Sequence, residues 1–172
     1  VTVGSTSEDQ TIRWAPVSTP IGTIAVGASD QAVVGVRLAG DAECGPAPPT
    51  GVLAQAVTQL TEYFTGQRTS FDLPVAVPEQ VGSQFDRAVW TELLHIPYGE
   101  QRTYGQVAAA IGDRGAARAV GAACNRNPLP LVVPCHRVVG AGGKLVGFGG
   151  GLPAKRWLLE HEARVALARD WA

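Results

Sequence analysis

Short β-branched runs dominate the first third of the chain, and apolar residues recur at helical spacing beyond it. Gly22 to Ala28 and Ala32 to Leu38 are parted by Ser29-Asp30-Gln31, the pattern of a hairpin with a small turn. Thr11 to Trp14 reads as a further strand ahead of Pro16. Cys44 to Gly51, with three prolines and two glycines, reads as a loop. Val52, Val57, Leu60, Tyr63 and Phe64 then share a helix face that ends near Gly66. Phe71 to Gly82, broken by Pro74 and Pro78, reads as a linker.

Past Gly82 the pattern becomes helical. Phe85, Val89, Trp90, Leu93 and Leu94 form one face over residues 84–95, closed by Pro97 and Gly99. Thr103 with Gln106 three residues on forms a capping box, Val107, Ala108 and Ile111 continue that helix, and Gly112-Asp113 ends it. Residues 115–123 form a second short helix, so the pair predicts a helix-turn-helix. The run Leu129 to Val133, closed by Pro134, reads as a buried strand, and Trp157-Leu158-Leu159 belongs to a last amphipathic helix. The predicted fold is α+β: a small N-terminal antiparallel sheet with a helix over residues 1–78, then a mainly helical helix-turn-helix domain over residues 79–172 that carries an active-site strand.

Composition narrows the class. With 172 residues, 45% of them apolar, and a net charge of −1, the chain is not a disordered tail. No run of eighteen apolar residues spans a membrane, and the polar, acidic stretch Val1 to Gln10 lacks the form of a signal peptide. Three cysteines, Cys44, Cys124 and Cys135, are too few for a secreted disulfide scaffold and point to a reducing, cytoplasmic setting. The charge is unevenly divided. Residues 1–84 carry three basic against eight acidic side chains, a net of −5, whereas residues 85–172 carry eleven against seven, a net of +4. Nine of those eleven are arginine, the side chain suited to phosphates and base edges, which makes the second half the candidate for a polyanion.

The second short helix is nearly all alanine and glycine, with Arg118 its only long side chain. A slim helix can sit deep in a groove, where one arginine can hold a position that a base has left; the competing reading is that small residues simply let helices pack closely and leave Arg118 as an ordinary solvent-exposed solubiliser. Asn125-Arg126-Asn127-Pro128 reads as a fixed turn.

The candidate chemistry lies in Pro134-Cys135-His136-Arg137. A thiol needs a base or a positive field to ionise at neutral pH. His136 is adjacent, but in a strand successive side chains face opposite ways, so contact with the sulfur needs a turn at Cys135 or a bridging water. An imidazole acting as base needs an orienter, and Glu160 and Glu162 are the candidates. The alternative is a buried, inert thiol. Metal binding is poorly supported, with His95, His136 and His161 beside the cysteines and neither CxxC nor HExxH spacing; no metal or cofactor is expected.

Pro134-Cys135-His136-Arg137-Val138-Val139 resembles the active-site signature of the O6-alkylguanine-DNA alkyltransferases, also called methylated-DNA–protein-cysteine methyltransferases. Tyr104-Gly105-Gln106-Val107-Ala108, Ala116 to Gly121, Arg126-Asn127-Pro128 and Gly150 to Glu162 extend the resemblance over about residues 80–162. It implies direct-reversal DNA repair: a single-turnover, irreversible transfer of an alkyl group from O6 of guanine, and from O4 of thymine, to Cys135. In that family's terms His136 deprotonates the thiol through a water, Glu162 rather than Glu160 holds the imidazole, Tyr104 helps neutralise the departing guanine, and Asn127 braces the turn. Arg118, with Ala117, Thr103 and Gln106, would contact double-stranded DNA through the minor groove and fill the gap left by an extruded nucleotide. Val146, Gly147, Phe148, Gly149 and Gly150 would wall the base pocket. Phe148 stands where many members have tyrosine and Gly149 where some have serine, which implies a more open wall with room for bulky adducts. The zinc that some members carry has no apparent ligand set in the N-terminal part. A monomer in solution is expected, with cooperative assembly on DNA compatible with it. Two rivals remain: a cysteine hydrolase reusing Cys135, His136 and Glu162, and a noncatalytic binder of alkylated DNA that recruits other repair factors.

Overall fold

The computed structural model describes residues 2–4, 11–39, 44–45 and 47–172. The polar stretch 1–10, apart from residues 2–4, and Pro46 of the expected loop lie outside the described residues. The chain divides into two compact units, Val1–Val81 and Gly82–Ala172; sequence analysis sets the boundary between residues 78 and 79.

In the first unit, β2 (Arg13–Thr19), β3 (Gly22–Ala28) and β4 (Val33–Arg37) form an antiparallel meander. The Ser29 hydroxyl accepts from the backbone N–H groups of Gln31 and Ala32, which fixes the β3–β4 turn. β2 does not stop before Pro16, as the sequence pattern suggests, but runs through it, with Pro16 opposite Ala25. It tolerates the missing N–H because β2 is the last strand in the order β1 (Thr2–Gly4), β5 (Pro74–Ala76), β4, β3, β2. The expected linker also holds a strand. β5 (Pro74–Ala76) lies inside the sheet, parallel to β4 and to β1 (Thr2–Gly4), and Leu73, Val75, Ala76 and Val77 are buried. Helix α1 (Gly51–Phe64) packs on β2 and β3, burying Leu53, Ala56, Leu60, Tyr63 and Phe64. Val52 and Val57 are only half-buried. Over the meander, the Trp14 indole lies across Gly27, where a Cβ would come within 2.7 Å of the ring, and the Arg37 guanidinium stands 4.2 Å from the indole centroid.

The second unit holds α2 (Gln84–Leu93), α3 (Tyr104–Ala110), α4 (Ala117–Asn125) and α5 (Leu152–Asp170). Both α2 and α3 begin in reciprocal capping boxes, Ser83 with Asp86 and Thr103 with Gln106. Asp86 also receives a forked pair of bonds from Arg126, at 2.7 and 3.1 Å, just after α4. The Trp90 indole N–H donates to the Ala123 carbonyl at 2.8 Å, tying the same two helices. The hydrogen bonds from Arg126 hold the buried Asp86 carboxyl below its ordinary range. Asp86→Ala therefore removes a cap and a helix–helix tie together, and the expected cost is about 1–3 kcal/mol in urea denaturation; an unchanged midpoint would contradict this account.

The predicted active-site strand is absent. Residues 127–134 form a compact loop, and Cys135–Arg137 is one turn of 3-10 helix leading into the short strand β7 (Val138–Val139), which pairs in parallel with β6 (Arg102–Thr103). Two prolines, Pro130 and Pro134, withhold donors from any ladder. The Asn127 side chain meets the local need instead: its Oδ1 accepts from Leu129 N–H and its Nδ2 donates to the Val133 carbonyl, both at 2.9 Å. Val133 N–H closes back on the Leu129 carbonyl at 2.8 Å, and Leu131 adopts a left-handed backbone with φ 74°.

Candidate active site

The 3-10 turn supplies the bend at Cys135 that sequence analysis requires. Cys135 N–H donates to the Val133 carbonyl and Arg137 N–H to the Pro134 carbonyl, at 2.8 and 3.1 Å. Successive residues in such a turn are rotated by about 120° rather than 180°, so Cys135, His136 and Arg137 leave the chain in three directions, all buried.

Glu162 gathers two of them. One carboxylate oxygen lies 2.7 Å from His136 Nε2 and accepts from Arg137 Nη2 at 2.9 Å; the other accepts from Arg137 Nε at 2.9 Å and from Gly99 N–H at 3.2 Å. The remaining Arg137 nitrogen, Nη1, donates to the Ile96 carbonyl. Burial alone would raise the Glu162 pKa, but the hydrogen bonds of His136 and Arg137, with the Arg137 charge, outweigh it and hold the carboxyl well below the usual range. Burial depresses His136, against the pull of Glu162, so the ring is neutral. An ionised carboxylate only accepts, which assigns the proton to Nε2 and leaves Nδ1 as the basic nitrogen. Glu160, the other candidate orienter, is exposed on the opposite side of α5 and lines a surface groove with Lys144 and Arg156.

Burial likewise raises the Cys135 thiol, opposed by a hydrogen bond from the Asn127 side chain and by the charge of Lys155. The resting group is a thiol that needs a base. Arg137 does not serve as its counter-charge, because Glu162 neutralises it. Lys155 is the cation that sequence analysis missed. It donates to the Tyr104 hydroxyl and to the carbonyls of Val146 and Gly147. Lys155, Leu158 and Glu162 stand at i, i+3 and i+7 on the buried face of α5, a spacing that could have marked the lysine as internal.

Tyr104, on the first turn of α3, donates its hydroxyl to the Val146 carbonyl at 2.8 Å. Burial pushes its pKa up to about 12, with Cys124 and Cys135 adding to the shift. It lines a cavity of about 650 Å³ together with Thr103, Ala117, Arg118, Asn125 and the Val146–Gly147 segment. The cavity is roomy enough for a nucleobase. Of the residues assigned to DNA contact, Arg118, Ala117 and Thr103 thus border one opening, while the Gln106 side chain caps α3 through Thr103 N–H. Of the five assigned to the pocket wall, Val146 and Gly147 line it and Phe148, Gly149 and Gly150 do not. The chain turns away at Gly147, with φ 46°, and Gly151 N–H closes a turn on the Phe148 carbonyl. Small residues on α4 do pack closely, as the plainer reading has it: Gly121 lies against the Tyr104 ring, where a Cβ would sit 3.7 Å from it. Arg118 is exposed, as that reading also expects. Asn125, expected only as part of a fixed turn, and Ala141, not expected at the site at all, also line it.

Among the described residues no three His, Cys, Asp or Glu side chains come together as a metal site, and no helix is long and apolar enough to cross a membrane. The family model for the DNA binding domain of 6-O-methylguanine DNA methyltransferase matches residues 84–164, and that for its ribonuclease-like domain matches residues 12–77. The chain is 44% identical over 157 residues to the methylated-DNA–protein-cysteine methyltransferase of Mycolicibacterium paratuberculosis, covering 89% of this chain and 93% of that one. It belongs to the methylated-DNA–protein-cysteine methyltransferase family. The Mycobacterium leprae methyltransferase is 50% identical over 120 residues, covering 70% of this chain and 71% of that one. Among solved structures, Mycobacterium tuberculosis O6-methylguanine methyltransferase superposes with a TM-score of 0.80 at 41% identity, covering 90% of this chain and 94% of that one. Mycobacterium tuberculosis OGT in complex with DNA gives 0.79 at 41% identity, covering 89% and 94%. In this methyltransferase the Cys-His-Arg turn, its glutamate and the tyrosine-lined cavity all belong to the second unit.

Proposed function

We propose that Cys135 takes an alkyl group from O6 of guanine, and from O4 of thymine, in double-stranded DNA, once per chain and irreversibly. Membership of the methyltransferase family supports the reaction class. The observation that carries the assignment is the turn that buries a thiol next in sequence to a histidine whose Nε2 is anchored by a buried carboxylate. The Cys135 proton passes through a water to His136 Nδ1, and Glu162 stabilises the imidazolium. Sulfur attacks the alkyl carbon in line, the C–O6 bond breaks, and Tyr104 donates to the departing base. A thioether offers no hydrolysis step that would restore the thiol, unlike an acyl-enzyme.

The alkylated O6 sits within the base stack, so the nucleotide must be extruded, and a damaged pair opens more cheaply than an intact one. In this reading α4 enters the minor groove and Arg118 occupies the vacated position, with Ala117, Thr103 and Gln106 beside the DNA. Arg118→Ala should slow transfer from duplex DNA about tenfold or more, the loss of at least ~1.4 kcal/mol of support for the flipped state. It should spare reaction with the free base O6-benzylguanine, and equal losses on both substrates would contradict the role. Stoichiometry tests the reading as a whole. With excess O6-methylguanine duplex, transfer should plateau at one methyl per chain, whereas continued turnover would overturn the acceptor assignment.

A further inference from the structure

Positive charge in the second unit is partly neutralised and partly free. Arg102, Arg126 and Arg137 are tied to Glu100, Asp86 and Glu162. Lys144 and Arg156 are exposed, and among the described residues neither makes an ion pair or a side-chain hydrogen bond. They share a groove of about 480 Å³ with Leu145, Leu152 and Glu160, and this groove and the base cavity have a common wall. Ala141, Val146 and Gly147 line the cavity, whereas Gly143, Lys144 and Leu145 line the groove, so the strap 141–147 has one opening on each side. The strap is closed on itself: Gly140 N–H donates to the Lys144 carbonyl at 2.7 Å, and Gly143 N–H to the Gly140 carbonyl at 3.1 Å. Gly140 permits this approach, since a Cβ there would come within 3.1 Å of the Lys144 carbonyl oxygen. Arg156 stands in the second turn of α5, a helix fixed by its buried residues Ala154, Leu158 and Glu162. Both cations therefore rise from backbone that is held in place.

An extruded base carries its sugar and phosphates to the mouth of the cavity. Arg118 is the only charged side chain among the described residues that line the cavity, and the alkyl-transfer reading places it in the vacated stack. The phosphates beside the extruded nucleotide need other cations, and the far side of the strap presents two without partners of their own. We propose that Lys144 and Arg156 hold the phosphodiester next to the extruded nucleotide, so that the strap has the base on one side and its backbone on the other. This rests on the alkyl-transfer reading. Lys144 supplies a point charge and Arg156 a planar fork of donors. Val146, 47% exposed between the two openings, gives the sugar an apolar edge to lie on. The contact reads no sequence; it fixes the strand at the rim and thereby keeps the base in the cavity. Glu160, exposed in the same groove, repels a phosphate, so two cations act against one carboxylate.

The test compares the unsubstituted groove with the double variant Lys144→Ala, Arg156→Ala, with Glu160→Gln and, as a control for charge elsewhere on α5, with Arg164→Ala. Binding is measured in chains that also carry Cys135→Ser, so that transfer does not intervene. The ligands are duplexes bearing one O6-methylguanine, in which the phosphates of the damaged strand are replaced one at a time by neutral methylphosphonates. On the fully charged duplex the double variant should bind about tenfold more weakly, and its slope of log affinity against log salt should be shallower by about 2. With the groove intact, affinity should fall when a phosphate next to the alkylated nucleotide is neutralised, and at that phosphate the double variant should lose nothing further. Arg164→Ala should keep the profile of the intact groove, and Glu160→Gln should bind more tightly. With Cys135 in place, every variant should take a benzyl group from free O6-benzylguanine at the wild-type rate, because the free base carries no phosphate. Unchanged affinity in the double variant, a loss that singles out no phosphate, or a slowed reaction with the free base would overturn the proposal, by making the charge idle or a general field, or the strap a part of the reacting wall. Wild type that gains no methyl group at Cys135 from the fully charged duplex would instead overturn the alkyl-transfer reading, which the binding profile does not test.

Discussion

Cys135→Ser abolishes alkyl uptake while leaving binding to alkylated duplex DNA intact. The hydroxyl that replaces the thiol is a far weaker acid, and the neutral His136 ring, depressed by burial, is a modest base. A serine alkoxide would have to form in a site whose nearby cation, Lys155, only partly offsets burial even for the thiol. The side chain stays small and buried on the same turn, held by backbone bonds from Cys135 N–H and Arg137 N–H that do not depend on sulfur. The DNA-facing candidates Arg118, Ala117 and Thr103 lie on other elements. Measured together, transfer should be undetectable and the dissociation constant for O6-methylguanine duplex should stay within about threefold of wild type, a difference of less than ~1 kcal/mol. Alkylation that persists in this variant would place the acceptor elsewhere.

Glu162→Gln should cost stability as well as activity. The carboxylate neutralises Arg137, orients His136 and caps Gly99 N–H from one buried position. An amide of the same shape leaves the guanidinium buried without a counter-charge, and removing one partner of such a pair costs about 3–5 kcal/mol. Acid should expose the same dependence. The folded-state pKa of Glu162 is depressed, so its contribution is present above the ordinary carboxylate value and is lost as pH falls through the folded one. His136 is depressed too: the unfolded chain binds its proton more readily, so stability declines as pH falls below the ordinary histidine value. Both signs agree. Urea denaturation should show lower stability at about pH 5.5 than at about pH 7.5, with a further loss below about pH 4.5 in wild type that Glu162→Gln lacks. Stability that rises on acidification would contradict the buried neutral histidine.

Much of this was legible where a local rule decides the outcome. Thr103 with Gln106 caps α3, Ser29 closes the β3–β4 turn, and the apolar spacing that ends near Gly66 marks α1. What escaped depends on partners distant in sequence. β5 is three residues that begin at Pro74, just before Pro78, and becomes a strand only because β4 and β1 flank it. The apolar run before Cys135 has the composition of a strand, yet Pro130, Pro134 and the Asn127 side chain turn it into a loop. The same preference for local hydrogen bonding bends the chain at Cys135, so the two side chains are not held on opposite faces as they would be in a strand. Arg137 abuts the thiol in sequence and belongs to Glu162 in space. Lys155, twenty residues beyond the thiol, carries the charge that the thiol feels.

The central claim is that Cys135 is a consumed alkyl acceptor, and mass measurement tests it most directly. After incubation with a duplex bearing one O6-methylguanine, the intact chain should gain a single methyl group, about 14 Da, and peptide mapping should place it on Cys135 rather than on Cys44 or Cys124. An unchanged mass with tight binding would make the protein a recruiter at damaged DNA. A methyl group on another residue would break the link between this site and the reaction.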